Sequence, residues 1–375
     1  MLRLAEEVYE KKLLDRLSDA TISLIARIAD AVRPGWSVRN KARLDEWKLM
    51  LYALNRSPTG IIGLILVLTF IAMGVLGPII APYRYNELLI YKDPGYRFIP
   101  PGGCGPGGEV FLLGTDDYGR DMLSLILYGA RTSLVVAMLV MLIGAPIGII
   151  LGLVSGYYGG KIDEVIMRVT DIFLAFPGLI LAIGFAATLP DRLREFLEAN
   201  PWLQSLLLTL FALDPGDAPR LANLLSVVIA IVIVWWPTYT RIVRGNTLSV
   251  RENVFVEVAK AMGMSSWGIM FKHILPNILA PIIVILTLDI GAVILVEAGL
   301  SYLGIGAQPP IADWGRIVYD GSRWLYRGYW WLSLLPGLFI LLTVLGFNLL
   351  GDALRDILDP KTRRSIEFKL KRTKR

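Results

Sequence analysis

At 375 residues, 55% of them hydrophobic and with a mean hydropathy of +0.57, the chain is too apolar for an ordinary soluble domain, where about 45–50% is usual. Its net charge of +6 comes from basic residues beside apolar runs, which points to anionic lipid and topology control rather than nucleic acid. One cysteine, Cys104, and one histidine, His273, exclude an intrachain disulfide and a Cys- or His-rich metal site, so no metal or cofactor is expected.

Residues 1–56 are basic, with apolar residues at Leu13, Leu14, Leu17, Ile22, Ile25 and Ile28. They read as a cytoplasmic amphipathic segment that lies on the membrane or on a partner, or else as a mobile tail. No cleavable leader is expected, which leaves the first span as the insertion signal. That span falls within 57–81, where the run Gly60 to Ala81 supplies the roughly 20 helical residues a bilayer core needs. Lys41, Arg43, Lys48 and Arg56 precede it, so the N-terminus is expected in the cytoplasm and residues 82–130 outside. This loop contains PPGGCGPGG and is too heavily punctuated for helix. Its Asp116, Asp117, Arg120 and Asp121 read as a solvated, salt-bridged loop rather than a catalytic centre.

Residues 131–350 hold five further apolar runs, at about 133–157, 165–189, 222–239, 278–300 and 332–350. Pro146 and Pro177 are expected to kink the second and third spans. The insert 190–221 is too short to cross and reads as an external amphipathic helix. Asp289 and Glu297 are candidates for the transport pathway or for a helix contact, because an uncompensated carboxylate at membrane depth costs several kcal/mol. Trp324, Trp330 and Trp331 suggest an interfacial belt, and 351–375 a basic cytoplasmic tail. The fold class is an all-α polytopic membrane protein with six transmembrane helices and both termini inside.

Between the fourth and fifth runs lies the polar stretch 241–277, whose centre reads RENVFVEVAKAMGMSSWGIMFKHILPN. Val254, Phe255, Val258, Ala259 and Met262 recur at helical spacing, predicting one sticky face on a short helix. Gly263 ends that helix in the left-handed region, Ser265 or Ser266 caps the next, and Pro276 closes it. The product is a small helical knuckle, or more simply an interfacial hairpin joining two spans.

This stretch resembles the EAA loop of ABC-importer permeases, with Glu257, Ala259, Gly263, Leu275 and Pro276 on the family spacing; Val258 and His273 depart from it. Two other blocks resemble dipeptide/oligopeptide-type permeases. One is Gly114-Thr115-Asp116 with Gly119-Arg120-Asp121 and Tyr128-Gly129-Ala130-Arg131. The other runs from Glu297-Ala298-Gly299-Leu300-Ser301-Tyr302-Leu303-Gly304 through Gln308-Pro309-Pro310 and Trp314-Gly315 to Asp359-Pro360. The insert 190–221 is longer than the family turn. The resemblance implies the type I importer arrangement, a sister permease, two ATPase subunits, an external solute-binding protein, and peptides or similar small solutes as cargo. It also implies ATPase coupling through Glu257, Ala259, Gly263, Ser266, Leu275 and Pro276. No phosphate-cradling Gly-x-x-x-x-Gly-Lys-Ser/Thr run occurs, so the chain is expected to be non-catalytic. A secondary transporter would want ionisable relays in several spans, and a membrane hydrolase paired catalytic side chains at depth; neither pattern stands out.

Overall fold

The computed structural model describes residues 13–85 and 94–358. The first twelve residues and the end of the basic tail, from 359, lie outside this range. At the N-terminal end α1 (Leu13–Val32), α2 (Trp36–Arg39) and α3 (Lys41–Leu54) form a helical hairpin. Its turn is fastened by the Asp30 carboxylate, which accepts from the Ser37 amide at 2.8 Å. Ser57 then caps α4 (Pro58–Ile80), the first long apolar helix, by accepting from the Gly60 amide at 3.1 Å.

The segment before the second crossing contains a two-stranded hairpin, β1 (Gly103–Cys104) and β2 (Val110–Phe111). The helix α5 (Met122–Tyr158) starts well before residue 133, where apolar character alone placed it. The Asp121 carboxylate caps it, accepting from the Ser124 amide at 2.8 Å, and its first turns are buried. Polar residues such as Ser124 and Arg131 hide that start from hydropathy. The third crossing is two pieces, α6 (Gly160–Ala175) and α7 (Gly178–Thr188), at 89° to each other. Pro146 sits inside α5, whereas Pro177 occupies the break, where its missing N–H costs no helix bond.

The insert is two helices, α8 (Pro190–Glu198) and α9 (Pro201–Phe211), and they do not simply float on a surface. Leu197, Leu207, Leu208 and Phe211 are buried in the main core, and Arg131 on α5 donates to the Leu210 carbonyl at 2.8 Å. The long helix α10 (Ala218–Arg251) then runs beside α5. Their contact is made close by a row of glycines on α5, Gly144, Gly148, Gly152 and Gly156, each facing α10. Small residues at i, i+4 let two membrane helices approach backbone to backbone.

After the short helices α11 (Val254–Ala261) and α12 (Ser266–Ile269), the chain passes through a π-helical turn at Met270–Ile274 into α13 (Leu275–Tyr302). Pro276 therefore does not close a separate helix. The Leu275 amide reaches back to the Met270 carbonyl, and this widened turn makes room for the following proline ring within one continuous rod. The chain ends in α14 (Trp314–Ser322) and α15 (Trp331–Leu358), which packs on α4 and α13. Among the described residues, five helical segments are long and apolar enough to cross a bilayer, and the bent α6–α7 pair counted as one crossing makes six.

The residues expected to form an interfacial tryptophan belt divide. Trp330 is exposed, but Trp331 is buried and donates to the Thr115 carbonyl at 3.1 Å. Trp324 stands against Phe98, ring centroids 4.8 Å apart. These rings fasten the loop before α5 to the segment before α15.

Candidate coupling site

The helix α10 ends at Arg251, and Asn253, in an extended conformation, starts α11. The end of α11 is a Schellman closure: the Gly263 amide donates to the Lys260 carbonyl at 3.0 Å and the Met264 amide to the Ala259 carbonyl at 3.1 Å. Gly263 has φ +75°, as its place in the sequence predicts, and nothing lies within 4 Å of where a Cβ would stand. Its requirement for glycine is thus conformational rather than steric. Ser265, not Ser266, is the cap; its hydroxyl accepts from the Gly268 amide at 3.2 Å, and Ser266 is the first residue of α12.

Sequence spacing puts Val254, Phe255, Val258, Ala259 and Met262 on one face, and the structure divides them. Ala259 turns inward with Val256 and joins Ile269, Met270, Ile274, Ile278 and Ile282 in a small apolar core that also takes in Leu153 of α5 and Val243 of α10. This core welds the knuckle to the adjoining ends of α5, α10 and α13. Val254, Val258 and Met262 form an i, i+4, i+8 line on the other side and are 73%, 50% and 77% exposed. Trp267 and Phe271, one turn apart, are exposed as well, with nearly parallel rings 5.6 Å between centroids. The i, i+4 spacing of the two aromatics is the sequence signal for this pair. Glu257 is exposed beside this line, Leu275 is half-buried against the knuckle core, and Pro276 is exposed. Exposed apolar side chains gathered on one element are the usual material of a contact with another protein or with lipid.

The two intramembrane carboxylates have different surroundings. Glu297 is wholly buried, its two oxygens accepting from Ser133 and Ser301 hydroxyls at 3.2 Å each, with the Asp313 carboxyl beside it. Its bond to Ser133 joins α13 to α5, while Ser301 lies on α13 itself. Asp289 is half-buried between α13 and α10 beside Trp235 and Tyr239, and one of its oxygens is enclosed with no hydrogen-bond partner.

The acidic loop before α5 is salt-bridged but not solvated. Asp116 and Arg120 pair at 2.6 Å with side chains only 7% and 13% exposed. Asp116 also accepts from the Tyr118 and Arg120 amides, at 2.9 and 2.7 Å, closing the turn on itself. Burial pushes the Asp116 carboxyl above its usual range in spite of Arg120. Asp117 moves the same way through burial and the Asp116 charge, and Asp121 through burial. The described residues hold no group of His, Cys, Asp and Glu fit for a metal ion.

Among the described residues, five or six helical segments able to cross a bilayer, packed around one main apolar core, define an all-α polytopic membrane protein. Residues 144–364 match the family described as the binding-protein-dependent transport system inner membrane component, and residues 46–101 match the N-terminal transmembrane domain of oligopeptide transport permease C. The chain belongs to this family of ABC-importer permeases, whose ATPase is a separate subunit. It is 40% identical over 318 residues to a dipeptide transport system permease protein of Alkalihalophilus pseudofirmus, covering 85% of this chain and 91% of that one. It is 35% identical over 338 residues to a probable D,D-dipeptide transport system permease protein of Escherichia coli, covering 90% and 98%. A glutathione transport system permease protein of Pectobacterium atrosepticum is 34% identical over 325 residues, covering 86% and 94%.

Proposed function

We propose that this chain forms half of the translocation pathway of an importer for short peptides, pairing with a sister permease, fed by an external binding protein and driven by two ATPase subunits. One of these ATPases seats on the exposed face of α11 and α12, and both chain termini and the knuckle lie on the cytoplasmic side. The observation that carries the reading is the line Val254, Val258, Met262 with Trp267 and Phe271, exposed on helices whose other face is bound to α5, α10 and α13. A partner gripping that line moves the spans as one piece with the knuckle. ATP-dependent closure of the ATPases then favours one of two packings of the spans, because the partner's affinity differs between them. The peptide cargo is supported by the names of the relatives.

Gly263→Val and Glu257→Lys test the contact. A β-carbon in the left-handed region costs roughly 1–2 kcal/mol and a branched one more, so valine misdirects α12 without touching the spans. Glu257→Lys reverses an exposed charge on the docking face. Both variants are expected at normal membrane levels with uptake lost and ATPase subunits shed or hydrolysing idly. A passive hairpin predicts flux that survives both substitutions and needs no ATP, and normal ATP-driven uptake in both variants removes the docking reading.

A further inference from the structure

The bent crossing raises a question that docking alone does not answer. The helix α6 makes modest apolar contact with the rest of the chain: Thr170 is its one fully buried residue, and Phe173 near its far end stands edge-on to Trp236 of α10, ring centroids 5.4 Å apart. What fixes its first turn is polar. Asp163, in its first turn, takes both Nε and Nη2 of Arg244 on α10, at 2.5 and 2.6 Å, and the Ser155 hydroxyl of α5 at 2.5 Å. The planar guanidinium fork meeting both carboxylate oxygens fixes an orientation as well as a distance. Arg251, seven residues further along α10, donates to the Gly156 carbonyl at 2.9 Å, so the adjoining ends of α5 and α10 are tied at the same corner.

The other ion pairs of α6 are poor candidates for this duty. Arg241–Asp171 leaves both side chains more than half exposed, and Arg168–Glu164 lies within α6 itself and is more exposed still. Such pairs are screened and contribute little. Arg244 and Asp163 are 30% and 18% exposed. At its other end α6 meets the Phe176–Pro177 break, beyond which α7 is a separate eleven-residue rod packed along α10. The helix is therefore a lever whose first turn is fixed at one polar joint, and that joint sits on α10, the rod whose end at Arg251 leads into the coupling knuckle.

We propose that Asp163 and Arg244 are a positioning pair that transmits displacement of the knuckle into the α6–α7 crossing, and so couples ATPase closure to the opening of the pathway. This rests on the docking reading above. ATPase seating depends on the exposed face of α11 and α12, whereas the conversion of seating into span movement depends on this joint.

The test uses the whole importer in proteoliposomes, with binding protein inside the assay and uptake measured per ATP hydrolysed. Asp163→Asn, Arg244→Gln, the double variant and Arg244→Lys are compared with Gly263→Val and Glu257→Lys. ATPase subunits are expected to copurify with all the joint variants. Uptake per ATP falls roughly tenfold in each single variant, within the usual range for coupling between distant sites. The double variant is no worse than either single one, since the two residues act as a unit. Arg244→Lys, which keeps the charge but loses the fork, uncouples as well, and it decides the matter if the neutral variants fail to assemble. Unchanged uptake per ATP in Arg244→Lys and the single variants overturns the joint, as do losses that multiply in the double variant. Shedding of ATPases by every joint variant, Arg244→Lys included, also overturns it by reducing the pair to a folding contact. Gly263→Val and Glu257→Lys separate the two readings: normal coupled uptake in both sinks the docking surface itself, while their failure beside intact joint variants sinks the joint alone.

Discussion

Gly152 on α5 lies against Thr240 on α10 so closely that a Cβ on the glycine would stand 2.7 Å from the threonine carbonyl oxygen. The same holds one turn away on either side, where a Cβ at Gly148 would be 2.5 Å from the Trp236 carbonyl oxygen and one at Gly156 2.7 Å from the Thr247 Cβ. The obstacles at Gly148 and Gly152 include backbone, which has no rotamer to yield. Gly152→Ala should then destabilise the chain by roughly 1–3 kcal/mol, the usual penalty of overpacking, and Gly152→Leu by more. Gly245, on α10 with nothing within 4 Å of its Cβ position, is the control. There alanine should be neutral or stabilising by up to about 1 kcal/mol, because it is the better helix former. Thermal unfolding of the detergent-solubilised chain distinguishes the two, and equal effects at both sites would disprove the close-contact argument.

The buried Asp116 makes a pH prediction whose sign is opposite to that of an exposed ion pair. Its folded-state carboxyl is raised by burial, as are those of Asp117 and Asp121. The folded loop therefore holds these protons more tightly than the unfolded chain does. The stability they contribute is present in full below the unfolded value, near pH 4, and is lost as pH rises through the folded values. Mild acidification from neutrality should leave the 114–121 turn as protected or better protected. Hydrogen exchange in that turn, corrected for intrinsic rates, is the measurement; a loss of protection between pH 7 and 5 would show that pairing with Arg120 outweighs burial after all.

Cys104 supplies a test of orientation, because it is exposed and is the single thiol of the chain. A membrane-impermeant maleimide on intact cells should label it. Met262→Cys in a Cys104→Ser background, in the permease expressed without its ATPase subunits, places the thiol on the knuckle at a position 77% exposed, and should be labelled only after the membrane is opened. The reverse pattern inverts the chain and leaves no cytoplasmic knuckle for an ATPase to grip.

What could be read from the sequence was what depends on local chemistry. Apolar runs announce crossings because the bilayer demands them, and Gly263 announces a helix end because few other residues tolerate φ +75°. What escaped depends on partners distant in the chain. The first turns of α5 look too polar to be buried until the Trp314 indole is seen donating to the Ile126 carbonyl at 2.9 Å and Thr132 donating to the Ala312 carbonyl at 2.8 Å. Helical spacing placed Ala259 beside Val258 on one face, but only the positions of Val243 and Ile274 decide that one turns inward and the other out. The buried state of Asp116 has the same cause, since a run of charged residues looks solvated until its cover is known.

The insert is the last case, and there the structure changes what an experiment should do. Removing residues 191–220 would seem harmless for a surface helix. Yet Phe211 is 1% exposed in the main core, and Arg131 would lose the Leu210 carbonyl that accepts its Nε proton. Deletion is therefore expected to cost assembly, and single substitutions are the better probe. Phe211→Ala should destabilise the permease by roughly 3–5 kcal/mol, as for other fully buried aromatics, and lower its level in the membrane. Trp202 and Phe196, in contrast, are 69% and 52% exposed on α9 and α8. If this face meets the external binding protein, Trp202→Ala and Phe196→Ala should leave thermal stability and ATPase copurification unchanged. Binding-protein stimulation of ATP hydrolysis should then need a severalfold higher concentration of that protein, since exposed aromatics at a protein interface are where truncation is felt most. Unaltered stimulation in both variants would assign the rings to lipid, and loss of stability in either would make the insert a structural brace throughout.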